Sequence, residues 1–372
     1  MRILILAPLK RKIVPEITAS RSRVVYELIQ GLIKKGHKIT VLGTQDSFIP
    51  GADIVPVTPK GFVDMPPFEN PFYGETSYLV QLAKKTELLA KDFDIIHNHT
   101  YPEFINLMID DRIKTPMVTT LHAQGTPEFD EVLNLFPGAY LISISKAHRR
   151  LFKKTNIFKI VYNGVDTDFY SFEEKKGDYL LWLGRLSKAK DLQGRFMDPK
   201  GIGWAISLAK ATGSKLLLSG SVEDMKFYES EVKPHLNDKI KWIGPVSSEQ
   251  MLSKLQVKEL MQKARAFLMT INWYEPFGLV MAEAMACGTP VIGFDRGSVN
   301  ELIEDNKTGF VVNPEKGLEG LKESLSKLPN IKPDDCRQRV LDNFSLKSMV
   351  DNYEKTYLEV INLYRQKNQA NL

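Results

Sequence analysis

Two glutamates in the stretch YEPFGLVMAEAMACGTP are candidates for ligand binding, because Glu275 and Glu283 stand among small and apolar residues. A carboxylate in apolar surroundings is unfavourable unless it is paired. Carboxylates accept hydrogen bonds well from hydroxyl groups, so the vicinal hydroxyls of a sugar are suitable partners. The alternative is that Glu283 pairs with a core lysine or arginine while Glu275 caps a helix.

The residues around these glutamates predict a strand, a loop and a short helix. INWYEPFG leaves a strand, and GLVMAEAMACG forms a helix that ends near Gly288. The N–H groups of a first helical turn are unpaired and favour an anion. We therefore expect phosphate or sugar oxygens to meet the backbone of Phe277, Gly278, Leu279 and Val280.

Two cations form the second candidate. Arg185 follows a predicted strand ending at Gly184, and Lys200 precedes the predicted helix GIGWAISLAKATG. An arginine fork and a lysine point charge beside a helix start could clamp a diphosphate. The alternative is that both are solvated loop residues.

Histidines form the third candidate. His97 and His99 alternate at the end of a strand and therefore share one face. With His122 they could hold a metal, or they could contact an acceptor molecule. We do not expect a metal site, and we expect the pair Asp110-Asp111 to be solvated.

The elements that must position these residues form two successive strand–helix series. Short apolar runs between helices are typical of strands buried on both faces of a parallel sheet. We therefore predict an α/β protein with two Rossmann-like doubly wound domains, a hinge near 163–166, and a ligand cleft between them. The predicted boundaries of the first domain, the second domain and a terminal helix are 1–165, 166–345 and 346–372.

Composition excludes several classes. The chain has 372 residues, of which 43% are hydrophobic and 26% charged, and a formal charge of +5, too small to indicate a nucleic-acid binder. Its two cysteines, Cys287 and Cys336, indicate a reducing, cytoplasmic setting. No GxGxxG follows the first strand, which disfavours a nicotinamide enzyme. The sequence indicates no particular oligomeric state.

The segment 146–159 is basic with interleaved apolar residues. One interpretation is peripheral contact with an anionic membrane at the inner face, and the other is a solvated charged helix.

The stretch from Glu275 to Glu283, continued by AMACGTPVIGFDRGSVNELIEDNKTGFVV, resembles the retaining nucleotide-sugar glycosyltransferases of family 4, the glycogen-synthase-like branch. The resemblance extends to GRL with its later KG, to NGVD, TTLHA and FSLKSMVDNYEKTY, and so covers nearly the whole chain. It implies a GT-B fold whose terminal helix crosses back to the first domain. It also implies a retaining hexosyltransferase that uses a nucleoside-diphosphate sugar, UDP-linked such as UDP-glucose, without a cofactor or metal.

The resemblance also implies roles for individual residues. Glu275 would contact the donor sugar and Glu283 the ribose hydroxyls, while Arg185 and Lys200 would hold the diphosphate. The backbone at 277–280 would meet the sugar and phosphates.

Two further roles follow from the same resemblance. His122 would lie under the anomeric centre, and the loop Gly244–Val246 would lie beside the base. Retention would proceed by front-face attack, with the diphosphate taking the acceptor proton, so the two glutamates are not an acid and a nucleophile.

The chain departs from the family pattern at two places. Ala19 and Ser20 stand where a Gly-Gly pair is usual, which indicates an altered acceptor side that would also include His99. Residues 187–199 form a long insert that is either a lid carrying Lys188, Lys190 or Arg195 to the donor or a passive loop. The acceptor, whether a saccharide, a lipid-linked molecule or a small molecule, is not indicated. The alternatives are a non-catalytic nucleotide-sugar-binding protein and a metal-dependent transferase.

Overall fold

The structure, a computed structural model, describes residues 1–370 apart from the side chains of Asn368 and Ala370. It contains two compact units. The first comprises Met1–Gly164 with the chain from Leu346 onward, and the second comprises Val165–Ser345. The end of the predicted segment 346–372 thus lies outside the described residues.

The first unit is built on a parallel sheet of seven strands in the order β3-β2-β1-β4-β5-β6-β7. Its strands are β1 (Arg2–Leu6), β2 (Lys38–Thr44), β3 (Ala52–Thr58), β4 (Ile95–Asn98), β5 (Met117–Leu121), β6 (Tyr140–Ser143) and β7 (Lys159–Ile160). Its first four helices are α1 (Ser20–Lys34), α2 (Pro71–Leu89), α3 (Pro127–Leu133) and α4 (Lys146–Arg149).

The second unit is built on a parallel sheet of six strands in the order β10-β9-β8-β11-β12-β13. Its strands are β8 (Tyr179–Leu183), β9 (Lys215–Ser219), β10 (Ile240–Trp242), β11 (Ala266–Met269), β12 (Val291–Phe294) and β13 (Gly309–Val312). Its helices are α5 (Ile202–Thr212), α6 (Met225–Phe227), α7 (Lys254–Lys263), α8 (Leu279–Ala286), α9 (Val299–Leu302), α10 (Gly317–Lys327) and α11 (Pro333–Asn343).

Central strands are buried along their whole length, as in β4, β5, β11 and β12. The predicted pair of doubly wound α/β sheets is thereby confirmed. Two strands were not predicted. The edge strand β3 contains Pro56 and is only partly buried, and β7 is two residues long within the segment interpreted as a connector.

The last helix, α12 (Leu346–Ala370), belongs to the first unit. It packs against α1 so closely that a Cβ on Gly31 would lie 2.3 Å from Cγ2 of Val350. Its apolar residues at helical spacing include Tyr353 and Tyr357, both fully buried. This close approach lets the two phenol rings reach the sheet.

Segment 146–159 begins with the four-residue helix α4 and ends at the first residue of β7. Its apolar side chains Phe152 and Ile157 lie in the core, so its exposed residues offer charge without an apolar face. Across residues 1–370, no helix is both long and apolar enough to cross a membrane.

Candidate functional site

Glu275 is the centre of a small ionic cluster in the second unit. Its Oε2 accepts from Nζ of Lys200 at 2.9 Å and from Nε1 of Trp273 at 3.0 Å. The same ammonium lies 4.0 Å from the centroid of the Trp273 ring. Glu275 is therefore paired with a lysine, and the pair is stacked on an indole ring.

The backbone behind Glu275 is held by a glycine turn. Gly297 has a φ of +66°, and a Cβ there would lie 2.2 Å from the carbonyl oxygen of Glu275. That same oxygen accepts from the N–H of Ser298 at 2.9 Å. The close approach therefore requires glycine at 297 and fixes the loop that carries the carboxylate.

Helix α8 begins beside this carboxylate. Gly278 is its N-cap in the left-handed region, with φ 78°, and the hydroxyl of Ser298 donates to the carbonyl of Phe277 at 2.7 Å. Within residues 1–370, the N–H groups of Gly278, Leu279 and Val280 donate to no acceptor. This first turn has the unpaired donors that bind an anion.

Glu283 lies in the second turn of α8 and is 2% exposed, with every other residue of the helix buried except Val280. Because water has little access to this carboxylate, its hydrogen-bond partners must be groups that lie beside it in the protein or in a bound ligand.

Arg185 extends from the end of β8 and is largely exposed. Its Nη1 lies 3.4 Å from Oε1 of Glu223, which makes a loose surface pair. Asp198 accepts from the N–H groups of Ile202 and Gly203 and so caps the start of α5, the helix beside the two cations. The cations, and not α5, remain the candidate phosphate ligands.

The insert 187–199 is an ordered hairpin. Lys190 pairs with Phe196 across it, and Asp191 accepts from Nε of Arg195 at 2.6 Å. The ammonium of Lys190 lies 4.7 Å from the Phe196 ring centroid. Two of the three cations suggested for a lid therefore have partners within the hairpin. The third, Lys188, lines a cavity of about 590 Å³ that also includes Glu223.

Val246, predicted to lie beside a base, is 36% exposed on the loop after β10. Gly244 in the same loop has a φ of +91° and abuts Leu252. This places an accessible apolar side chain in the second unit, as a stacking surface for a base requires.

In the first unit, Glu103 organises the loop that carries His122. Its Oε1 accepts from the N–H groups of His122 and Ala123, each at 3.1 Å. The guanidinium of Arg21 lies 3.7 Å from the same oxygen and 4.8 Å from the centroid of the Tyr101 ring. The backbone after β5 is therefore fixed by a buried carboxylate.

His122 continues into a row of buried imidazoles. Its Nε2 lies 2.9 Å from Nδ1 of His99, whose ring is stacked on His97 with centroids 3.7 Å apart. Burial lowers the pKa of His97 and His122 well below their usual range, and lowers the pKa of His99 to about 3. The rings bond to one another and to hydroxyls, so they do not converge on a common point where a metal would sit.

The residues predicted for the acceptor side, Ala19, Ser20 and His99, lie in different surroundings. Ala19 is the N-cap of α1 and makes no side-chain cap, and Ser20 is the first residue of that helix. His99 is fully buried, and both its ring nitrogens bond to histidines. Because His99 is buried and both of its ring nitrogens are bonded, neither nitrogen is available to an acceptor molecule. The structure therefore places His99 behind His122.

Sequence reasoning missed four contacts of these clusters: Trp273, Glu103, Arg21 and Tyr357. Trp273 stands two residues before Glu275 and could have been noticed there. The others lie far along the chain from their partners, and no local pattern marks them.

The two doubly wound units define the GT-B class of glycosyltransferases, with which solved structures agree. Sucrose-phosphate synthase of Thermosynechococcus elongatus superposes with a TM-score of 0.73 at 18% identity, covering 99% of both chains. HepE of Anabaena, solved in complex with UDP-glucose, superposes with a TM-score of 0.69 at 16% identity, covering 96% of this chain and 100% of that one.

Sequence comparison gives the family. Residues 22–169 match Glycosyltransferase Family 4, and residues 167–339 match Glycosyl transferases group 1. The N-acetyl-alpha-D-glucosaminyl L-malate synthase of Bacillus anthracis is 25% identical over 76% of this chain and 80% of its own length. The chain belongs to the family 4 type of glycosyltransferases.

Proposed function

We propose that this glycosyltransferase moves a hexose from a UDP-sugar to an acceptor hydroxyl with retention of configuration and without a metal ion. The observation that carries the proposal is the Lys200–Glu275 pair set beside three unpaired N–H groups at the start of α8. A cation, a carboxylate and backbone donors are the groups that a sugar diphosphate needs.

The donor is held by the second unit. Glu275 accepts from sugar hydroxyls and Glu283 from the ribose hydroxyls. Val246 lies against the base. The phosphates take the N–H groups of 278–280 together with Lys200 and Arg185. HepE, which shares the fold, was solved with UDP-glucose, and this supports UDP as the nucleotide.

The chemistry follows from these contacts. The bond between the anomeric carbon and the phosphate oxygen breaks, and the negative charge that collects on the diphosphate is stabilised by the cations and the helix start. The acceptor hydroxyl attacks from the same face and gives its proton to a phosphate oxygen. The family resemblance assigns His122 to the sugar, and Ala19 and Ser20 to the acceptor side.

A thermal-shift panel of UDP-, GDP- and ADP-sugars in EDTA tests the donor. A hundredfold excess over Kd stabilises a protein by about 2.7 kcal/mol, which raises Tm by about 5 °C for a chain of this size. We expect this rise with a UDP-sugar. If no nucleotide sugar raises Tm, the donor assignment fails.

Transfer is then followed as UDP release, with saccharides, lipid-linked saccharides and hydroxy acids such as L-malate as acceptors. The last class is included because the Bacillus anthracis relative is named N-acetyl-alpha-D-glucosaminyl L-malate synthase. The product should keep the α configuration by proton NMR. Loss of release in EDTA would favour a metal-dependent transferase, and binding without release for any acceptor would favour a non-catalytic binding protein.

A further inference from the structure

A continuous chain of hydrogen bonds in the first unit joins the terminal helix to His122. The hydroxyl of Tyr357 lies 2.6 Å from Nδ1 of His97. The same nitrogen lies 3.1 Å from Nε2 of His99, and Nδ1 of His99 lies 2.9 Å from Nε2 of His122. Tyr357, His97 and His99 are fully buried. The chain therefore runs through the core and emerges at the residue assigned to the sugar.

The imidazoles of this chain are neutral near pH 7. Burial lowers the pKa of His99 to about 3 and lowers the pKa of His97 and of His122 well below the usual value. A neutral imidazole carries one N–H and leaves the other nitrogen as an acceptor. The position of each proton is therefore decided by the neighbour that bonds to the ring.

Tyr357 sets the direction of the chain. Within the described part of the molecule, His97 is the sole hydrogen-bond partner of its hydroxyl. If that hydroxyl accepted from His97, its own buried proton would lack an acceptor, at a cost of about 1–3 kcal/mol. Tyr357 therefore donates to Nδ1 of His97, whose single proton lies on Nε2 and is given to Thr120 Oγ1 at 2.8 Å.

The proton position of His97 fixes the proton positions of His99 and His122. Nδ1 of His97 carries no proton, and its lone pair already accepts from Tyr357. A second lone pair on Nε2 of His99, 3.1 Å away, would be repelled, so the proton of His99 lies on Nε2. Nδ1 of His99 is then an acceptor and takes the Nε2–H of His122. This leaves the lone pair of His122 on Nδ1, which has no hydrogen-bond partner among residues 1–370.

A second branch supports the first. The Thr120 hydroxyl that accepts from His97 lies 2.9 Å from the hydroxyl of Tyr353, one turn before Tyr357 on α12. The His97 ring lies against both phenols, at centroid distances of 4.9 and 5.5 Å. Because α12 is packed tightly onto α1 at Gly31, the two tyrosines are held at a fixed height above the sheet.

We infer that Tyr357, His97 and His99 are positioning residues that hold His122 in its Nε2–H tautomer, with the Nδ1 lone pair presented to a hydroxyl of the bound sugar or acceptor. The identity of that hydroxyl rests on the proposed function. The tautomer itself does not, because it follows from contacts within the first unit.

The direct test is 15N NMR of the natural chain labelled at histidine, with the His122 signals assigned by loss in His122→Gln. We expect an unprotonated Nδ1 and a protonated Nε2, distinguished by the large downfield shift of an unprotonated ring nitrogen. A protonated Nδ1 in the natural chain would overturn the inference, whether or not any variant folds.

The matched variants are Tyr357→Phe and Tyr364→Phe, each of which removes one hydroxyl from α12. The hydroxyl of Tyr364 bonds to the carbonyl of Ile113 at 3.2 Å, outside the chain. We expect Tyr357→Phe to give mixed tautomers at His122 and a roughly tenfold lower kcat, the value of about one hydrogen bond, with an unchanged donor KM. Tyr364→Phe should change none of these.

The outcomes separate the two proposals. Unchanged His122 signals in Tyr357→Phe contradict the inference. The expected tautomer in a protein that binds no nucleotide sugar and releases no UDP contradicts the proposed function and leaves the tautomer assignment standing.

Discussion

The two polar clusters of this protein handle burial in opposite ways. In the second unit Lys200 and Glu275 form an ion pair at 2.9 Å, with the lysine side chain still 23% exposed. In the first unit His97, His99 and His122 are neutral, and neither His97 nor His99 has any exposed surface. An accessible ion pair can exchange its partner for a ligand, whereas a buried neutral chain can only hold its shape.

The ionic cluster and the imidazole chain are therefore expected to have different functions, although both lie in doubly wound units. In the proposed function the ionic cluster stabilises the charge that appears when a diphosphate leaves, and its loss should reduce turnover strongly. The imidazole chain is placed to orient one side chain, so its loss should cost less and should leave donor binding unchanged. The following variants test that contrast.

The largest effect is expected for Glu275→Gln. The amide keeps the shape but removes the charge that balances Lys200, so kcat should fall about 100-fold, as for loss of one transition-state contact. Donor Kd should change less than kcat. Asp178→Asn is the matched control, because Asp178 pairs with Lys215 on the surface of the same unit. Equal losses of kcat in both variants would refute the assignment.

An intermediate effect is expected for Glu103→Ala, measured as thermal unfolding. The change leaves the N–H groups of His122 and Ala123 without their acceptor, which costs about 2 kcal/mol and lowers Tm by about 3 °C. Glu103→Gln keeps an acceptor oxygen and should recover most of the loss. No difference between the two substitutions would show that the carboxylate does not hold this loop.

Much of this architecture was predictable from local pattern. Apolar runs indicated two doubly wound sheets, and the corner around Gly278 was identified because a strand, a glycine and a short apolar helix are contiguous in sequence. The partners of the key groups were not predictable. Lys200 and Glu275 are 75 residues apart, and His97 and Tyr357 are 260 apart. Such pairings depend on tertiary packing, which no periodicity encodes.

The sequence pattern was also insufficient where the burial of a side chain decides what it can contact. Alternation placed His97 and His99 on one face, and their stacked rings confirm this. It could not show that Tyr353 and Tyr357 of α12 pack against His97, or that His99 is fully buried. The insert 187–199 likewise had no local signal for the contact between Asp191 and Arg195 that closes its hairpin.

A smaller effect is expected in acid. His97, His99, His122 and His148 have folded-state pKa values lowered by burial, to about 3 for His99 and about 4 for His148. Below pH 6.5 the unfolded chain binds protons that the folded chain does not, so stability is lost as pH falls from 6.5 towards 4.5. Burial raises the pKa of Asp110 to about 6, so the folded chain takes up a proton there that the unfolded chain does not. This offsets the effect of about one histidine proton.

The slope of unfolding free energy against pH in this window measures the effect. His99→Gln should reduce the slope by about one proton, or about 1.4 kcal/mol per pH unit. A His99→Gln slope equal to that of the natural chain would mean that His99 is not held neutral.

The central contrast is tested most directly by the affinity for UDP, measured by calorimetry in Glu283→Gln and His99→Gln. Both residues are almost fully buried, at 2% and 0% exposure, so the substitutions are comparable in depth. The account predicts that Glu283→Gln weakens UDP binding at least tenfold, the value of one hydrogen bond to a charged group, while His99→Gln leaves the affinity unchanged. Unchanged affinity in Glu283→Gln, or a comparable loss in both variants, would contradict it.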